Sequence, residues 1–203
     1  MICSDSQTAR AEAARIIANG GLIAFRTDTF YALGADPLNA AAVAKIRELK
    51  GREENKPILL LISSMDQLER FVADQSGAFR IIASQHWPAP LTLIGSARPE
   101  LPVALTAGTN TIGVRLADDE NVRALVGVCG GALTATSANL SGKPPGRTAR
   151  EVEDYFPEGI DLIIDGGAVT VTEPSTVLDL SEADPRLVRE GAISRAALGD
   201  LLK

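Results

Sequence analysis

The sequence contains a single histidine and two cysteines in 203 residues. With only His86 available, a Ser–His–Asp triad accompanied by a separate histidine ligand is excluded, and His86, ahead of Trp87-Pro88, reads as structural. Cys3 stands in the N-terminal tail and Cys129 in an apolar stretch. That is neither a disulfide framework nor a zinc spacing, and it suits the reducing cytoplasm. No bound metal is expected from such a residue set. The N-terminus lacks a basic region followed by an apolar run, so no signal peptide is expected. The longest apolar run, Ile58 to Ile62, is far too short to span a bilayer, and no membrane association is expected. No Gly-x-x-x-x-Gly-Lys-Ser/Thr loop occurs. Gly20-Gly21 precedes a strand, so it cannot serve as a strand-to-helix dinucleotide loop. The net charge of −6 argues against broad, nonspecific nucleic-acid binding.

What is present is an ordinary globular composition, 45% hydrophobic and 23% charged. The length allows one large domain or two small ones, at roughly 150 residues per domain. No repeat, low-complexity segment or long linker divides the chain, so residues 1–203 are expected to form a single domain. Asp5 and Ser6 are caps for a first helix that Asn19-Gly20-Gly21 stops. Leu22 to Phe25 reads as a buried strand. Asn39 caps a second helix, with Val43, Ile46 and Leu49 on one face and Gly51 at its end. Further strands are expected at 57–62, 91–94, 111–116, 133–136, 162–164, 176–180 and 186–188. Further helices are expected at 65–72, 77–86, 120–128, from Thr148 to Phe156, and near Ser194. This alternation predicts an α/β fold, a twisted, mostly mixed sheet covered by helices.

Four segments can carry chemistry. The first is the basic stretch Lys45 to Lys56. Lys45 and Arg47 read as cations complementing a helix C-terminus. Lys50 and Arg52 flank Gly51, where the chain leaves the helix, and are presented on a turn. Arginine offers a planar fork for phosphate or carboxylate, and lysine a compact charge. The second is Thr134-Ala135-Thr136-Ser137-Ala138-Asn139-Leu140-Ser141-Gly142, at a strand end. It is either an anion cradle or a turn whose side chains satisfy their own backbone. The third, Thr27 to Gly34, follows the first strand. Thr29 and Tyr31 can reach a substrate's polar groups, or the segment is a plain strand-to-loop transition. The fourth pairs Ser175, at the start of a strand, with Arg189, at the end of another. Asp118, Asp119 and Glu120 read as a helix start.

Together these segments resemble the YrdC-like family, the L-threonylcarbamoyladenylate synthases. The resemblance rests on Thr27-Asp28-Thr29-Phe30-Tyr31, Lys50-Gly51-Arg52, Lys56-Pro57, Trp87-Pro88-Ala89-Pro90-Leu91-Thr92, Gly113-Val114-Arg115, Ser137 to Gly142, Ser175-Thr176-Val177 and Arg189-Glu190-Gly191. Any one piece is weak; eight in order, from about Gly20 to Ser194, are specific. The chain departs from the pattern at Arg26, where proline is usual, at Ala32, where glycine is usual, and at Leu61, where many members have histidine.

The resemblance implies a single YrdC-like domain of the short form, folded around a concave, basic cavity. It implies that L-threonine, bicarbonate and ATP yield threonylcarbamoyladenylate and pyrophosphate, with Mg²⁺ carried by ATP. The product would pass to a separate enzyme that modifies tRNA. Arg52, Lys56, Thr111, Ser137 and Arg189 would contact ATP. Thr29, Tyr31, Arg115 and Ser175 would hold threonine, with Arg115 on its carboxylate. Lys50, Arg52, Ser137 and Asn139 would form the catalytic set. The alternative within the same resemblance is a protein that binds nucleotide or RNA, weakly, without turnover. The segment 143–147 would be a lid if Gly142 and Gly146 act as hinges.

Overall fold

The computed structural model describes residues 1–51 and 56–202, and for 199–202 the backbone only. The chain opens with a short strand, β1 (Ile2–Ser4), and helix α1 (Gln7–Ala18). The Ser6 hydroxyl caps α1 by accepting from the Ala9 N–H at 3.2 Å. A hairpin follows, β2 (Ile23–Arg26) and β3 (Tyr31–Gly34), and then α2 (Ala40–Lys50). Asn39 caps α2, and Gly51 ends it in the left-handed region at φ 56°, a conformation without penalty for glycine.

Strand β4 (Leu60–Ile62) leads to a 3-10 turn at Met65–Arg70 and to β5 (Val72–Asp74). Next come α3 (Gly77–His86), β6 (Leu91–Ala97), the single turn α4 (Val103–Thr106) and β7 (Thr111–Leu116). The last third holds α5 (Glu120–Val128), β8 (Ala132–Thr134), β9 (Thr136–Ser137), α6 (Ala149–Tyr155) and β10 (Leu162–Asp165). It closes with β11 (Thr176–Asp179), β12 (Arg186–Arg189) and a 3-10 segment, Arg195–Leu202.

The strands form two sheets rather than one. The smaller has the order β1-β10-β2-β3-β9. The larger has the order β12-β11-β6-β7-β4-β8, with β5 added against β6. Both are mixed: β10 runs parallel to β1 and β2, while β3 returns antiparallel to β2 and β9. The expected strand at 133–136 is divided between them. Thr134 pairs with Leu60 in the larger sheet and Thr136 with Leu33 in the smaller, so the backbone changes sheets at Ala135.

Two apolar clusters fill the space around the sheets. One gathers Leu33, Val43, Ile46, Leu60, Phe79, Leu93 and Val114 with many neighbours. The other packs α1 and α5 through Ile17, Val122 and Leu125 against Ile23, Phe25, Leu61 and Leu133. Among the described residues no helix is long and apolar enough to cross a membrane.

Candidate active site

The two sheets part to leave a cavity of about 370 Å³. That falls in the range of small-molecule sites, roughly 300–1,000 Å³. The smaller sheet supplies Thr27, Thr29, Phe30, Tyr31 and Ala32 from the β2–β3 hairpin and Thr136 and Ser137 from β9. The larger supplies Thr92 and Ile94 (β6), Thr111, Gly113 and Arg115 (β7), and Val177 (β11), with Ser175 just before β11 and Arg189 ending β12. Strand alternation explains the choice. On β7, residues 111, 113 and 115 share one face, and the register places Thr92 and Ile94 beside them on that face.

Arg115 is the central group. Its side chain is only 4% exposed, and its Nη1 lies 3.2 Å from Asp28 Oδ1, itself on a side chain 6% exposed. Nη1 also donates to the Thr29 hydroxyl at 3.2 Å. The Asp28 contact is electrostatic rather than an aligned hydrogen bond, and Arg115 Nε is buried with no acceptor. Desolvation by burial lowers the Arg115 pKa, the Asp28 carboxylate raises it and Arg189 lowers it again. Burial also lowers that of Arg189. Arginine starts so far above neutrality that both remain cations. Two cations against the single carboxylate of Asp28 leave one net positive charge, which suits an anion.

Hydroxyl pairs flank Arg115. Thr27 and Thr29 lie 3.1 Å apart, and so do Thr92 and Ser175. Arg189 Nη2 donates to the Ser175 carbonyl at 2.8 Å and to its hydroxyl at 3.1 Å. Among the described residues Arg189 has no carboxylate partner, so its charge faces the cavity rim.

Lys50 has a different place. It is buried, and its Nζ donates to the Ser137 carbonyl and, at 2.8 Å, to the Asn139 carbonyl. The Asn139 amide in turn donates to the carbonyls of Leu140 and Lys143. Neither Lys50 nor Asn139 lines the cavity. They tie the end of α2 to the hydroxyl-rich strand end and act on Ser137 through the backbone. Lys56 is exposed beside the cavity-lining Pro57. Arg52 lies outside the described residues.

Two expectations change, and one departure from the family pattern finds its place. Tyr31 lines the cavity, but its hydroxyl donates toward Asp165 Oδ1 and the Gly167 carbonyl, each at 3.0 Å. It is therefore engaged within the fold. Gly146 is no free hinge: its N–H bonds Ala138, its carbonyl accepts from Tyr31, and a Cβ there would lie 2.9 Å from the Ala138 carbonyl. Leu61 pairs in register with Arg115, yet it is wholly buried in the second apolar cluster and does not line the cavity. Sequence reasoning gave no role to Asp28 or Thr92. Both sit within motifs it had marked, and Thr92 becomes legible once β6 is laid antiparallel to β7.

The comparisons decide the lineage. The Sua5/YciO/YrdC family model, described as telomere recombination, matches residues 15–191. The chain belongs to this family. It is 38% identical over 181 residues to the threonylcarbamoyl-AMP synthase of Pyrococcus abyssi, covering 89% of this chain but 53% of that protein. It is 38% identical over 170 residues to the threonylcarbamoyl-AMP synthase of Idiomarina loihiensis, covering 83% of this chain and 91% of the relative. It therefore spans about half of the first relative and nearly all of the second. The structure of P. abyssi Sua5 complexed with L-threonine superposes with a TM-score of 0.94 at 34% identity, over all of this chain and 61% of that one. The Sua5/YciO/YrdC fold is thus the fold of this chain, a mixed α/β domain with the cavity between its two sheets.

Proposed function

We propose that this cavity joins L-threonine, bicarbonate and ATP into L-threonylcarbamoyladenylate and pyrophosphate. The observation that carries the reading is Arg115, a buried guanidinium in the wall of the cavity, set among hydroxyls in a chain whose relatives bear the name of that activity. Its fork suits a carboxylate, and Thr29 and Ser175 stand where an amino acid held by that carboxylate would meet hydroxyls.

In this reading the threonine amine and bicarbonate form a carbamate and release water. A carbamate oxygen attacks the α-phosphorus of ATP, the bond to the β-phosphate oxygen breaks, and pyrophosphate leaves. No covalent nucleophile is needed. Two anions must be brought together, so the protein contributes positioning and charge stabilisation. Ser137, Thr111 and Arg189 are the cavity groups for the triphosphate, with Arg52 and Lys56 added by family resemblance. Among the described residues no cluster of three His, Cys, Asp or Glu could hold a metal. Mg²⁺ enters the reading as part of the MgATP substrate. The product would be handed to the machinery that transfers threonylcarbamoyl to tRNA.

The test is pyrophosphate release by the purified protein. Release requiring threonine, bicarbonate and ATP together, and abolished in Arg115→Met, supports the reading. Release that ignores threonine, or survives that substitution unchanged, defeats it.

A further inference from the structure

The cavity carries its charge unevenly. Arg115 is compensated: Asp28 Oδ1 lies 3.2 Å from its Nη1, and both side chains are almost wholly buried. Asp28 does not itself line the cavity. It stands behind Arg115, and its other oxygen accepts from the Asp118 N–H at 3.2 Å, which holds the carboxylate against the end of β7. The other ion pair at this junction, Arg26 with Asp119 at 2.9 Å, is neutral as a unit. Arg189 is uncompensated. The adjacent Glu190 carboxylate turns to the Arg195 N–H at 2.8 Å. Among the described residues the Arg189 guanidinium donates only to the carbonyl and hydroxyl of Ser175.

The larger sheet holds the two arginines apart. Val177 pairs with Arg189 on one side and with Thr92 on the other. The β6–β7 register that sets Leu93 against Val114 brings Thr92 opposite Arg115. The arginines therefore end one cross-strand row, three strand spacings or about 14 Å apart at the backbone. All four residues of that row line the cavity. One end of the cavity is thus nearly neutral and the other cationic.

We propose that Asp28 is a specificity-determining residue that sorts the two anionic substrates. By compensating Arg115 it reserves that end for a singly charged carboxylate and leaves the polyphosphate to Arg189. The inference rests on the proposed reaction and assigns each anion its end of the cavity. Repulsion from a fixed carboxylate grows in proportion to the charge on the ligand, and burial keeps it from being screened. A monoanionic carboxylate takes the hydrogen bonds of the Arg115 fork against a small repulsion. A triphosphate at the same guanidinium meets that repulsion once for each of its charges, and far less of it beside Arg189. Without Asp28 two uncompensated cations would face the cavity. The triphosphate would then compete for both and shut the amino acid out. Asp28 touches neither substrate and acts through Arg115.

The experiment titrates the full chain by calorimetry with inorganic pyrophosphate and with L-threonine, each alone and each in the presence of the other, without bicarbonate or ATP. In the wild type, saturating pyrophosphate should change the threonine Kd by less than about threefold. Arg189→Met should weaken pyrophosphate at least ~10-fold and leave threonine within about threefold. Asp28→Asn keeps an acceptor for the Asp118 N–H but removes the charge. In that variant pyrophosphate should bind at least ~10-fold tighter and displace threonine. ATP should likewise become an inhibitor competitive with threonine in assays of pyrophosphate release. Adding Arg115→Gln to Asp28→Asn should return pyrophosphate affinity to the wild-type value, a reversal that a merely structural role for Asp28 would not produce. Pyrophosphate that displaces threonine from the wild type overturns the inference, whether or not Asp28→Asn folds. So does an Asp28→Asn chain that loosens both ligands alike. A wild-type chain that binds both ligands together yet releases no pyrophosphate from ATP would defeat the proposed reaction and leave the sorting intact. A wild-type chain that binds no threonine would defeat both.

Discussion

Replacing Arg115 by methionine separates a buried ion pair and removes only one of its charges. The pair is 3.2 Å apart, with side chains 4% and 6% exposed. At an effective dielectric of about 20 the Coulomb attraction at that distance is about 5 kcal/mol. Most of it offsets the desolvation of the two groups, so the intact pair adds little net stability. The variant leaves Asp28 in place without its cation, where the desolvation cost stands alone. The expected loss is about 3–5 kcal/mol, read as ΔΔG of urea unfolding with an unchanged m-value. Adding Asp28→Asn removes the stranded charge and keeps an acceptor for the Asp118 N–H, now bound by Asp28 Oδ2 at 3.2 Å. The double variant should therefore recover most of the loss, a coupling of about 2–3 kcal/mol in the cycle. Threonine binding should stay abolished in both, because the guanidinium in the cavity wall is gone. A loss under about 1 kcal/mol, the scale of an exposed pair, would refute the burial argument. So would a double variant no more stable than Arg115→Met.

Other outcomes follow from single contacts. Tyr31→Phe removes the hydroxyl held by Asp165 and Gly167 and should cost about 1–2 kcal/mol with the threonine KM unchanged; a large rise in that KM would restore a direct substrate contact for the phenol. Ser175→Ala leaves the Thr92 hydroxyl buried without its partner, and should lower stability by about 1–3 kcal/mol and raise the threonine KM more than that of ATP in steady-state assays. Lys50→Met should reduce kcat and speed hydrogen exchange at residues 137–143, since the ammonium bridges the Ser137 and Asn139 carbonyls. Burial pushes the Cys129 thiol up to about 12, so a thiol reagent at pH 8 should titrate Cys3 in the native chain and both thiols in urea. The sign follows: stability from keeping this thiol protonated is complete below the unfolded thiol's pKa of about 8.5 and declines as pH rises above it.

Local signals made much of the fold legible. Ser6, Asn39 and Thr148 each accept from a first-turn N–H, and the helices begin where those caps predict. Elements that depend on distant partners were hidden. Strand β1 is three residues long and exists because Ile2 and Ser4 pair with Ile163 and Asp165. Strand β3 is absent from the expected strands because its defining feature is its pairing with β2 and β9, not its periodicity. The expected helix at 65–72 breaks where Val72 joins Ala97 on β6. In the site, residue types named the chemistry, and the cavity gathers Thr29, Thr111, Arg115, Ser137, Ser175 and Arg189 from separate segments. Orientation was not legible. Whether Tyr31 or Lys50 presents its polar end to the cavity depends on tertiary partners, Asp165 for one and two backbone carbonyls for the other.

The crossing at Ala135 ties the two slabs of the molecule with one continuous stretch of main chain. Thr134 is laced into one slab and Thr136 into the other, with Ala135 itself bonded to the Leu59 carbonyl at 2.8 Å. That edge behaves like the spine of a book. Any widening to admit a ligand must come from the opposite margin of the larger sheet, where Arg189 ends β12, and loosening either slab at the spine slackens its neighbour as well.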